Sequence, residues 1–525
     1  MLRARASRPP LGLTLAAAAV AACMVGPAAY LAVRAWGVDG GLGEVLAPRV
    51  GRLAWATVVL AVTVTALAAA LGGAVALLLE RTDLPARRVL GVAAVLPLVV
   101  PTYVGALALV AALGPHGLAW EVPGIVGFWG LTAALVLSTY PYVLLTARAV
   151  LRAADPALEE VARALGDTQW RAVARVLLPQ LRPALTAGGL LVFLYVLSDF
   201  GAVSIMRFDT LTRGIFVEYR ASFDRARPAL LGLVLVGLTL LAIAAERRLR
   251  GRPAPSRAVS GAAPPPLLHL GRWRLPAGAA VASLALAGVG LPVAVLAYWA
   301  SVGSPSGAGG SLAHAGLTSL GLSVAAAAVA VAASLPVAVL AVRHRSRLSR
   351  ALETLSVSGY ALPGLVIALA LVFFAARFLP ALYQTLYLLV VAYVVRFLPE
   401  ALGSVRSSLH QVDPALEEVG RTLGQRRLGV ARTVTLPLVR GGMAGGAALV
   451  FLTVMKELPA TLLLQPAGRE TLATHVWTGA SQGLYAQAAP AALVLIAASA
   501  GLLWPLQRRR SERGVRALVP EVAPG

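Results

Sequence analysis

The chain alternates long apolar runs with short polar segments that carry arginines, and this pattern extends over its whole length. An apolar run of about 20 residues can cross a bilayer as a helix, and within lipid only helices and closed barrels satisfy the backbone. The predicted transmembrane helices cover residues 11–33, 55–79, 89–113, 124–147, 184–206, 228–245, 277–300, 316–341, 354–376, 383–405, 442–464 and 488–506. The pattern therefore predicts an all-α polytopic membrane protein with about twelve transmembrane helices.

The first apolar run has an alternative interpretation as a cleaved signal peptide, because basic residues precede it and small residues follow it. Its length of about 23 apolar residues exceeds the usual hydrophobic region of a signal peptide. Removing it would also leave an odd number of spans. We therefore retain residues 11–33 as a transmembrane helix.

The composition excludes several other classes of protein. Of the 525 residues 58% are hydrophobic and 13% are charged, and the mean hydropathy is +0.78. A net charge of +23 would suggest a nucleic-acid partner in a soluble protein, but here the arginines lie between apolar runs, so no nucleic-acid partner is expected. Cys23 is the only cysteine, which excludes an intramolecular disulfide. The only lysine, Lys456, follows Met455, so the chain has no P-loop for ATP.

The arginines also predict the orientation of the chain in the membrane. With the N-terminus inside, the inner segments hold 34 of the 46 Lys and Arg residues and the outer segments hold 10. Because basic residues concentrate in cytoplasmic loops, both termini are predicted to be cytoplasmic. Segment 207–227 is the exception, with five arginines on the outer side. It also contains Asp209, Glu218 and Asp224, and we expect a folded outer loop there.

An internal repeat divides the chain into two halves. The sequence Asp155-Pro-Ala-Leu-Glu-Glu-Val recurs 258 residues later at Asp413, and 19 of 40 positions are identical over residues 155–194. Farther upstream the offset becomes 262, where Val104 aligns with Val366. Each half contains six predicted spans, an even number, so the two halves are parallel. The predicted organisation is a first half at 1–250, a cytoplasmic Pro/Arg linker at 251–275, a second half at 276–510 and a cytoplasmic tail at 511–525.

The repeated segment lies between the fourth and fifth spans of each half, at residues 152–182 and 410–440. Asp155 is suited to cap a helix that begins at Pro156, and Gly166 is suited to end it in a left-handed conformation. A second short helix is predicted to follow, with Trp170 on its apolar face, before Pro179 turns the chain back to the membrane. The apolar face of the first helix consists of Leu158, Val161, Ala162 and Leu165.

Both copies resemble the "EAA" loop of binding-protein-dependent ABC importer permeases. The matching residues are Glu160, Gly166, Val176, Leu178 and Pro179, and in the second copy Glu418, Gly424, Val434, Leu436 and Pro437. Val161-Ala162 and Val419-Gly420 replace the usual Ala-Ala pair. An alternative is that both segments are merely amphipathic helices lying on the inner leaflet.

The resemblance implies a type I ABC importer permease with the MetI-like fold. In that family the loops are coupling helices that dock into two copies of an ATP-binding subunit, and a periplasmic or extracellular binding protein delivers the substrate. ATP and Mg²⁺ would be bound by the partner ATPase, so this chain is expected to be neither an enzyme nor a cofactor-binding protein. Membrane lipid is expected to surround its spans. The residues carried over as coupling residues are Glu160, Gly166, Trp170, Pro179, Glu418, Gly424, Leu428 and Pro437.

Ionisable groups within the spans indicate a possible translocation path. Such groups cost about 2.5–3.5 kcal/mol each on insertion scales, so they usually face a partner or a pathway. Asp199 and Glu457 occupy equivalent positions of the repeat, with Tyr195 and Thr453 one helical turn earlier. These oxygen-bearing side chains suit a hard cation, although no metal site is assigned.

The alternative is that these carboxylates only pair with Arg396 or Lys456, or cap a bent helix beside Pro459. We nevertheless include Arg396 with the candidate path residues Tyr195, Asp199, Thr453 and Glu457.

The substrate is predicted from resemblance alone. Segments 198–204, 219–225 and 456–461 resemble the ferric-iron branch of fused two-half permeases, with thiamine or another small solute as the alternative. A gradient-driven secondary transporter is a different alternative, because such carriers also have duplicated halves and buried carboxylates. The paired coupling loops argue against it, since a gradient-driven carrier needs no ATPase dock.

Overall fold

The computed structural model describes residues 9–35, 47–115, 117–119, 121–221, 226–249, 267–302, 308–344 and 346–516. Residues 251–266 of the predicted linker and 517–525 of the predicted tail lie outside these ranges, as does Asp224 of the predicted outer loop.

The described residues confirm the all-α prediction. In the first half the helices are Leu11–Ala35, Pro48–Arg81, Arg87–Ala93, Leu96–Val99 (3₁₀), Thr102–Leu113, Phe128–Ala153, Pro156–Ala164, Gln169–Ala172, Val173–Leu177 (π), Leu178–Ser198, Gly201–Ile205, Leu211–Ala221 and Ala226–Leu249. In the second half they are Gly271–Trp273 (3₁₀), Arg274–Ala285, Leu286–Gly290 (π), Leu291–Val302, Ala308–Arg343, Arg347–Val357, Ser358–Ala361 (3₁₀), Gly364–Phe378, Leu386–His410, Pro414–Thr422, Arg427–Val430, Ala431–Thr435 (π), Leu436–Met455, Pro459–Leu464, Leu472–Ser481 and Tyr485–Arg516.

Within the described residues, nine of the twelve predicted spans are helices long and apolar enough to cross a membrane. Of the other three, 89–113 is a bent pair of helices, 354–376 overlaps the shorter apolar helix Gly364–Phe378, and 488–506 overlaps Tyr485–Gly501, the apolar part of the last helix.

The predicted span 89–113 is not one continuous helix. Segments Arg87–Val99 and Thr102–Leu113 meet at 92°. Val100 is extended, with ψ of 118°, because the ring of Pro101 disfavours a helical conformation at the preceding residue. The second half repeats the break, since Leu362 is extended before Pro363, with ψ of 123°. The third span of each half is therefore broken at a proline.

The predicted spans 184–206 and 442–464 are also interrupted. The helix Leu178–Ser198 ends before Asp199, which is extended, and a short helix resumes at Gly201. In the second half the helix ends at Met455 and resumes at Pro459. Both candidate carboxylates thus lie in breaks, where backbone N–H groups are free to donate to them.

The prediction that Pro179 turns the chain back to the membrane is wrong. Helical structure is continuous from Gln169 to Ser198, and Pro179 lies inside it. The π segment Val173–Leu177 precedes the proline, with the Leu178 N–H bonded to the Val173 carbonyl. The extra residue of a π turn re-routes the backbone hydrogen bonds where the proline removes a donor. Pro437 follows the π segment Ala431–Thr435 in the same way.

The two halves interlock through their first helices. Leu11–Ala35 packs against Ala226–Leu249 of its own half and against Arg347–Val357 and Gly364–Phe378 of the other. The Tyr30 ring meets the Phe374 ring edge-on. In return, Leu291–Val302 packs against Thr102–Leu113. Each half therefore completes its packing on the other.

The end of the linker is attached to the first half. Leu268 forms an isolated parallel bridge with Thr82, and the Leu270 N–H donates to Asp83 Oδ1 at 3.0 Å. This hydrogen bond holds the pKa of Asp83 below its usual range. Helical structure begins at Gly271, a few residues before the predicted linker boundary at 275.

The described part of the arginine-bearing segment 207–227 contains a helix, in agreement with the folded loop that was predicted. Its helix Leu211–Ala221 packs against Ala226–Leu249 and Pro48–Arg81, and Glu218 lies 2.6 Å from Arg49.

Candidate translocation site and coupling loops

The five residues predicted for the path line one cavity between the two halves, which we call the central cavity. Its volume is about 170 Å³. Tyr195, Asp199, Arg396, Thr453 and Glu457 all contribute to its wall. Most of the wall comes from the breaks in the third and fifth spans of the first half and in the fifth span of the second half, which bring helix ends and side-chain oxygens to the same place. The other polar residues that line it are Thr102, Tyr103, Ser138, Tyr142, Ser198 and Lys456.

Asp199 is held by hydrogen bonds from three directions. Its Oδ2 accepts from the Thr102 hydroxyl at 2.6 Å, and its Oδ1 accepts from the backbone N–H groups of Ala202 at 3.0 Å and Val203 at 3.3 Å. The Tyr195 hydroxyl lies 3.4 Å from the Thr102 hydroxyl. Asp199 thus caps the helix that resumes at Gly201, and it also faces the cavity.

In the second half the Glu457 carboxylate is paired with the Arg396 guanidinium. Arg396 Nε lies 3.4 Å from Glu457 Oε2, and the Ala460 N–H donates to Glu457 Oε1 at 3.3 Å. Lys456 Nζ donates to the Leu98 carbonyl of the first half at 2.8 Å. The pairing of Glu457 with Arg396 that the sequence offered as an alternative is therefore present, in a residue that also lines the cavity.

The repeat makes the two walls comparable position by position, and they differ in charge. At five of the six equivalent pairs the first half has an uncharged side chain and at the sixth it has an acid, whereas the second half has a charged side chain at four of the six. The pairs are Thr102 and Gly364, Ser138 and Arg396, Tyr142 and Glu400, Tyr195 and Thr453, Ser198 and Lys456, and Asp199 and Glu457. The first-half wall is a hydroxyl-rich surface with one carboxylate, and the second-half wall carries Lys456 and the Arg396–Glu457 ion pair.

Gly364 leaves the space that the Arg396 side chain occupies. A Cβ at residue 364 would overlap the Arg396 guanidinium and lie 2.7 Å from Glu457 Oε1. Thr102 occupies the equivalent position in the first half, where the residue equivalent to Arg396 is the smaller Ser138. A glycine is therefore required at 364 by close approach of the arginine.

Glu400 and Thr102, which bond to predicted path residues, are among the residues that the sequence prediction missed. Glu400 accepts from the Thr453 hydroxyl at 3.1 Å, and it lies within the predicted span 383–405, so the argument from ionisable groups applies to it equally. Thr102 had no such signal, because a lone threonine in an apolar run is common. No group of three or more His, Cys, Asp or Glu side chains suited to a metal occurs in the described part of the chain.

A larger cavity of about 640 Å³ lies among segments predicted to be outer loops. Tyr219, Arg220, His314, Tyr383 and Arg469 contribute to its lining. It contains none of the predicted path residues.

The predicted cap and terminator of the first helix in each repeated loop are confirmed. The Asp155 and Asp413 side chains cap the helices Pro156–Ala164 and Pro414–Thr422 by accepting from the N–H two residues later. We call these two the coupling helices. Gly166 and Gly424 follow them with φ of +96° and +83°, a conformation that favours glycine.

The eight residues predicted to couple to an ATPase are all exposed: Glu160, Gly166, Trp170, Pro179, Glu418, Gly424, Leu428 and Pro437. Trp170 and Leu428 at equivalent positions are 58% and 63% exposed. Leu158, Val161 and Leu165 of the predicted apolar face are also exposed, whereas Ala162 is buried. Each loop therefore presents an uncovered apolar surface.

The neighbouring glutamates face the other way. Glu159 is buried against Arg81, and Glu417 lies 3.0 Å from Arg343. The sequence prediction missed these residues, because two adjacent glutamates do not reveal which one faces inward.

Both halves of the chain match the family described as the binding-protein-dependent transport system inner membrane component, at residues 68–252 and 330–516. The chain belongs to this family. Each matched segment contains one repeated loop and one wall of the central cavity. The permease is thus a multi-pass membrane component of a transport system that works with a binding protein.

Individual relatives differ in how much of the permease they match. An Fe(3+)-transport system permease protein of Haemophilus influenzae is 36% identical over 93% of this chain and 96% of its own. A probable ABC transporter permease protein of Sinorhizobium fredii is 26% identical over 82% of each chain. A probable molybdenum ABC transporter permease protein of Haloferax volcanii is 33% identical, over 38% of this chain and 74% of its own. The first two similarities extend across both halves.

Proposed function

We propose that this permease imports iron(III), powered by ATP hydrolysis on separate subunits. The observation that carries the proposal is the 36% identity to an Fe(3+)-transport permease over nearly the full length of both chains. The relative named for molybdenum matches only about a third of this chain, so it supports the transport mechanism and not the substrate.

The exposed apolar loops support a pair of ATPase contacts. The permease presents two equivalent coupling helices, and each would dock on one of two ATP-binding subunits in the cytoplasm. ATP and Mg²⁺ are bound by those subunits, and this chain binds no cofactor. Both termini lie in the cytoplasm, and the binding protein docks on the opposite, outer face. Closure of the ATPases draws the two coupling helices together and switches the central cavity from inward-open to outward-open.

The central cavity supports a path for a hard cation. Tyr195, Asp199, Thr453 and Glu457 supply the oxygen atoms that such cations prefer. Arg396 and Lys456 repel a cation from the second-half wall, since like charges a few ångströms apart interact strongly where water is scarce. We infer that iron(III) passes along the hydroxyl-rich first-half wall, next to Asp199, and that Arg396 balances Glu457.

Uptake by the reconstituted system tests the substrate. The permease, its ATPase and its binding protein are placed in liposomes, and uptake of radioactive iron(III) delivered by the binding protein is measured with and without ATP. We expect ATP-dependent uptake of iron(III), and no ATP-dependent uptake of thiamine when thiamine replaces iron(III) in the same assay. A complex that hydrolyses ATP in response to the binding protein but accumulates no iron would contradict the proposal.

Replacing Gly166 and Gly424 by valine tests the coupling assignment. A valine there must adopt a positive φ, and left-handed backbone costs a non-glycine residue roughly 1–2 kcal/mol. We expect weaker ATPase association and lower uptake, with the permease still in the membrane. Gly441→Ala is the control, because Gly441 is exposed with open space around it. Full coupling in the double valine variant would remove the basis for assigning these loops.

The double variant Asp199→Asn with Glu457→Gln tests the path. These changes keep shape and remove charge, so uptake should fall roughly tenfold, the change in rate that a loss of about 1.4 kcal/mol of electrostatic stabilisation produces. ATPase docking should persist. Glu121→Gln, at an exposed loop position, is the control. Wild-type uptake at all iron concentrations would show that the carboxylates serve only as structural partners.

A further inference from the structure

Each coupling helix is joined by one arginine and one glutamate to the helix of the second span of its half, which we call the second helix. The second helices are Pro48–Arg81 and Ala308–Arg343. In the first half the Arg81 guanidinium contacts the Glu159 carboxylate. In the second half Arg343 donates to Glu417 Oε1 from Nε at 3.2 Å and from Nη2 at 3.0 Å. Both arginines are the last residues of their helices, Pro48–Arg81 and Ala308–Arg343. The contact therefore occurs twice, at equivalent positions of the repeat.

The first of these ion pairs is almost sealed from solvent. The Arg81 and Glu159 side chains are 1% and 6% exposed, and those of Arg343 and Glu417 are 14% and 15% exposed. Burying an ion pair costs desolvation that its attraction often fails to repay, so stability alone is a weak reason for having two. A buried pair does fix geometry, because neither partner can leave without exposing an uncompensated charge.

The coupling helices have few other buried attachments. The first buries only Pro156 and Ala162 besides Glu159, and the second buries only Gly420. Their remaining apolar residues are exposed. Each coupling helix also contacts the π segment that follows it in the same loop, and the ion pair is its side-chain attachment to the helix of the second span.

The helices that end in Arg81 and Arg343 pack against helices that line the central cavity. The helix of the fourth span, which we call the fourth helix, is Phe128–Ala153 in the first half and Leu386–His410 in the second. In each half the second helix packs along the fourth helix. The fourth helices carry Ser138, Tyr142 and Arg396, which line the central cavity. A displacement of the second helix thus moves both cavity walls.

The second pair has additional contacts. Arg343 Nη2 also donates to the Val412 carbonyl at 3.0 Å, just before the coupling helix. The Thr435 hydroxyl donates to Glu417 Oε1 at 3.2 Å, from the π segment that begins the fifth helix. Glu417 therefore joins three elements at one point: the second helix, the coupling helix and the fifth helix.

We propose that Arg81–Glu159 and Arg343–Glu417 transmit the movement of the ATPases to the cavity walls. This inference rests on the proposed function, since it presumes that the exposed faces dock on ATPases. The four residues act as positioning residues. They touch neither ATP nor substrate, and their role is to keep the coupling helix and the second helix moving as one body.

The test compares charge-neutral and charge-retaining replacements in the reconstituted complex of permease, ATPase and binding protein. The variants are Glu159→Gln with Glu417→Gln, and Glu159→Asp with Glu417→Asp. Glu353→Gln is the matched control, because it removes the ion pair with Arg406 that lies outside the coupling loops. Three quantities are measured: ATPase co-purification, ATP hydrolysis stimulated by the binding protein, and iron taken up per ATP hydrolysed.

In the double glutamine variant we expect normal ATPase co-purification and continued hydrolysis, with uptake per ATP reduced roughly tenfold, inside the 5–150-fold range typical of coupling between sites. The double aspartate variant should retain most of the coupling, and Glu353→Gln should retain all of it. The proposal is overturned if uptake per ATP is unchanged in the glutamine variant, or if aspartate is as damaging as glutamine. Loss of membrane insertion or of ATPase co-purification also overturns it, because the pairs would then serve folding or docking. A wild-type complex without ATP-dependent uptake would instead contradict the proposed function.

Discussion

At the residue scale, single substitutions between the repeats decide how charge is distributed around the central cavity. Gly364 and Arg396 in the second half stand where the first half has Thr102 and Ser138. The glycine and the arginine depend on each other, since a side chain at residue 364 would occupy the space of the guanidinium.

Gly364→Ala should therefore destabilise the permease. The added methyl group overlaps Arg396 and separates it from Glu457, and overpacking of this kind typically costs about 1–3 kcal/mol. The thermal unfolding midpoint of the purified protein in detergent measures the effect.

Gly403→Ala is the control for this substitution, because a Cβ at residue 403 meets no atom within 4 Å. Alanine in a helix interior should be neutral or stabilising there, by up to about 1 kcal/mol. Combining Gly364→Ala with Arg396→Ala removes the overlap, so the glycine substitution should cost less in that background. Equal midpoints for the Gly364 and Gly403 variants would refute the close-approach argument.

The residue scale also shows the limit of a sequence pattern. Asp155 and Gly166 were assigned correctly as the cap and the terminator of a helix, because their roles depend on hydrogen bonds two or three residues away. The partner of Glu159 could not be found in this way. Arg81 lies in another helix, 78 residues earlier in the chain.

At the element scale, prolines and polar residues interrupt the predicted helices where function is expected. The bend before Thr102 brings that residue's hydroxyl to Asp199, and the break after Ser198 frees the N–H groups that bind the same carboxylate. The hydrophobic pattern predicts that a segment lies in the membrane, but it does not predict a bend, because both arms of a bent helix are apolar. Pro101 was the available signal.

The attachment of the linker end to Asp83 should depend on pH. The Leu270 N–H lowers the folded-state pKa of Asp83 below its unfolded value, so the attachment is favoured above the unfolded pKa and is lost as the pH falls through the folded pKa. Hydrogen exchange of the Leu270 amide, corrected for the intrinsic rate, should show protection at neutral pH and less protection in acid.

Asp83→Ala removes the acceptor and should abolish the protection of the Leu270 amide at every pH. The Leu268 amide, which donates to the Arg81 carbonyl at 2.7 Å, is the internal control because its acceptor does not titrate. Protection of Leu270 that is independent of pH and unaffected by Asp83→Ala would contradict this explanation.

At the scale of the whole molecule, the two halves form one body by exchanging contacts. The first helix of each half packs on the other half, and Lys456 of the second half donates to the Leu98 carbonyl of the first. The internal repeat predicted two equivalent halves, but it contained no information on how they pack together.

The orientation of the permease follows from its arginines and can be tested by reporter fusions. With 34 basic residues in the inner segments and 10 in the outer ones, fusions after residues 85, 165, 260, 345, 425 and 515 should report the cytoplasm. Fusions after residues 118, 308 and 475 should report the outside. The reverse pattern would invert the proposed sites of the ATPases and the binding protein.

Segment 207–227 is the sensitive part of this topology test, because it carries five arginines on the predicted outer side. A fusion within the helix Leu211–Ala221 should report the outside. A cytoplasmic signal there would require the fifth and sixth spans to be redrawn.

The sequence by itself determined the membrane class, the two halves, the repeated loops and the local form of each coupling helix. Composition encodes the membrane class, the internal repeat reveals the two halves and their loops, and residues within one or two helical turns encode the form of each coupling helix through burial periodicity and backbone capping. The tertiary structure alone decided which glutamate of each pair faces inward, which hydroxyl binds Asp199 and how the halves interlock. Those contacts join segments far apart in sequence, such as Thr102 and Asp199, and they form only when packed helices bring buried polar groups within hydrogen-bonding distance.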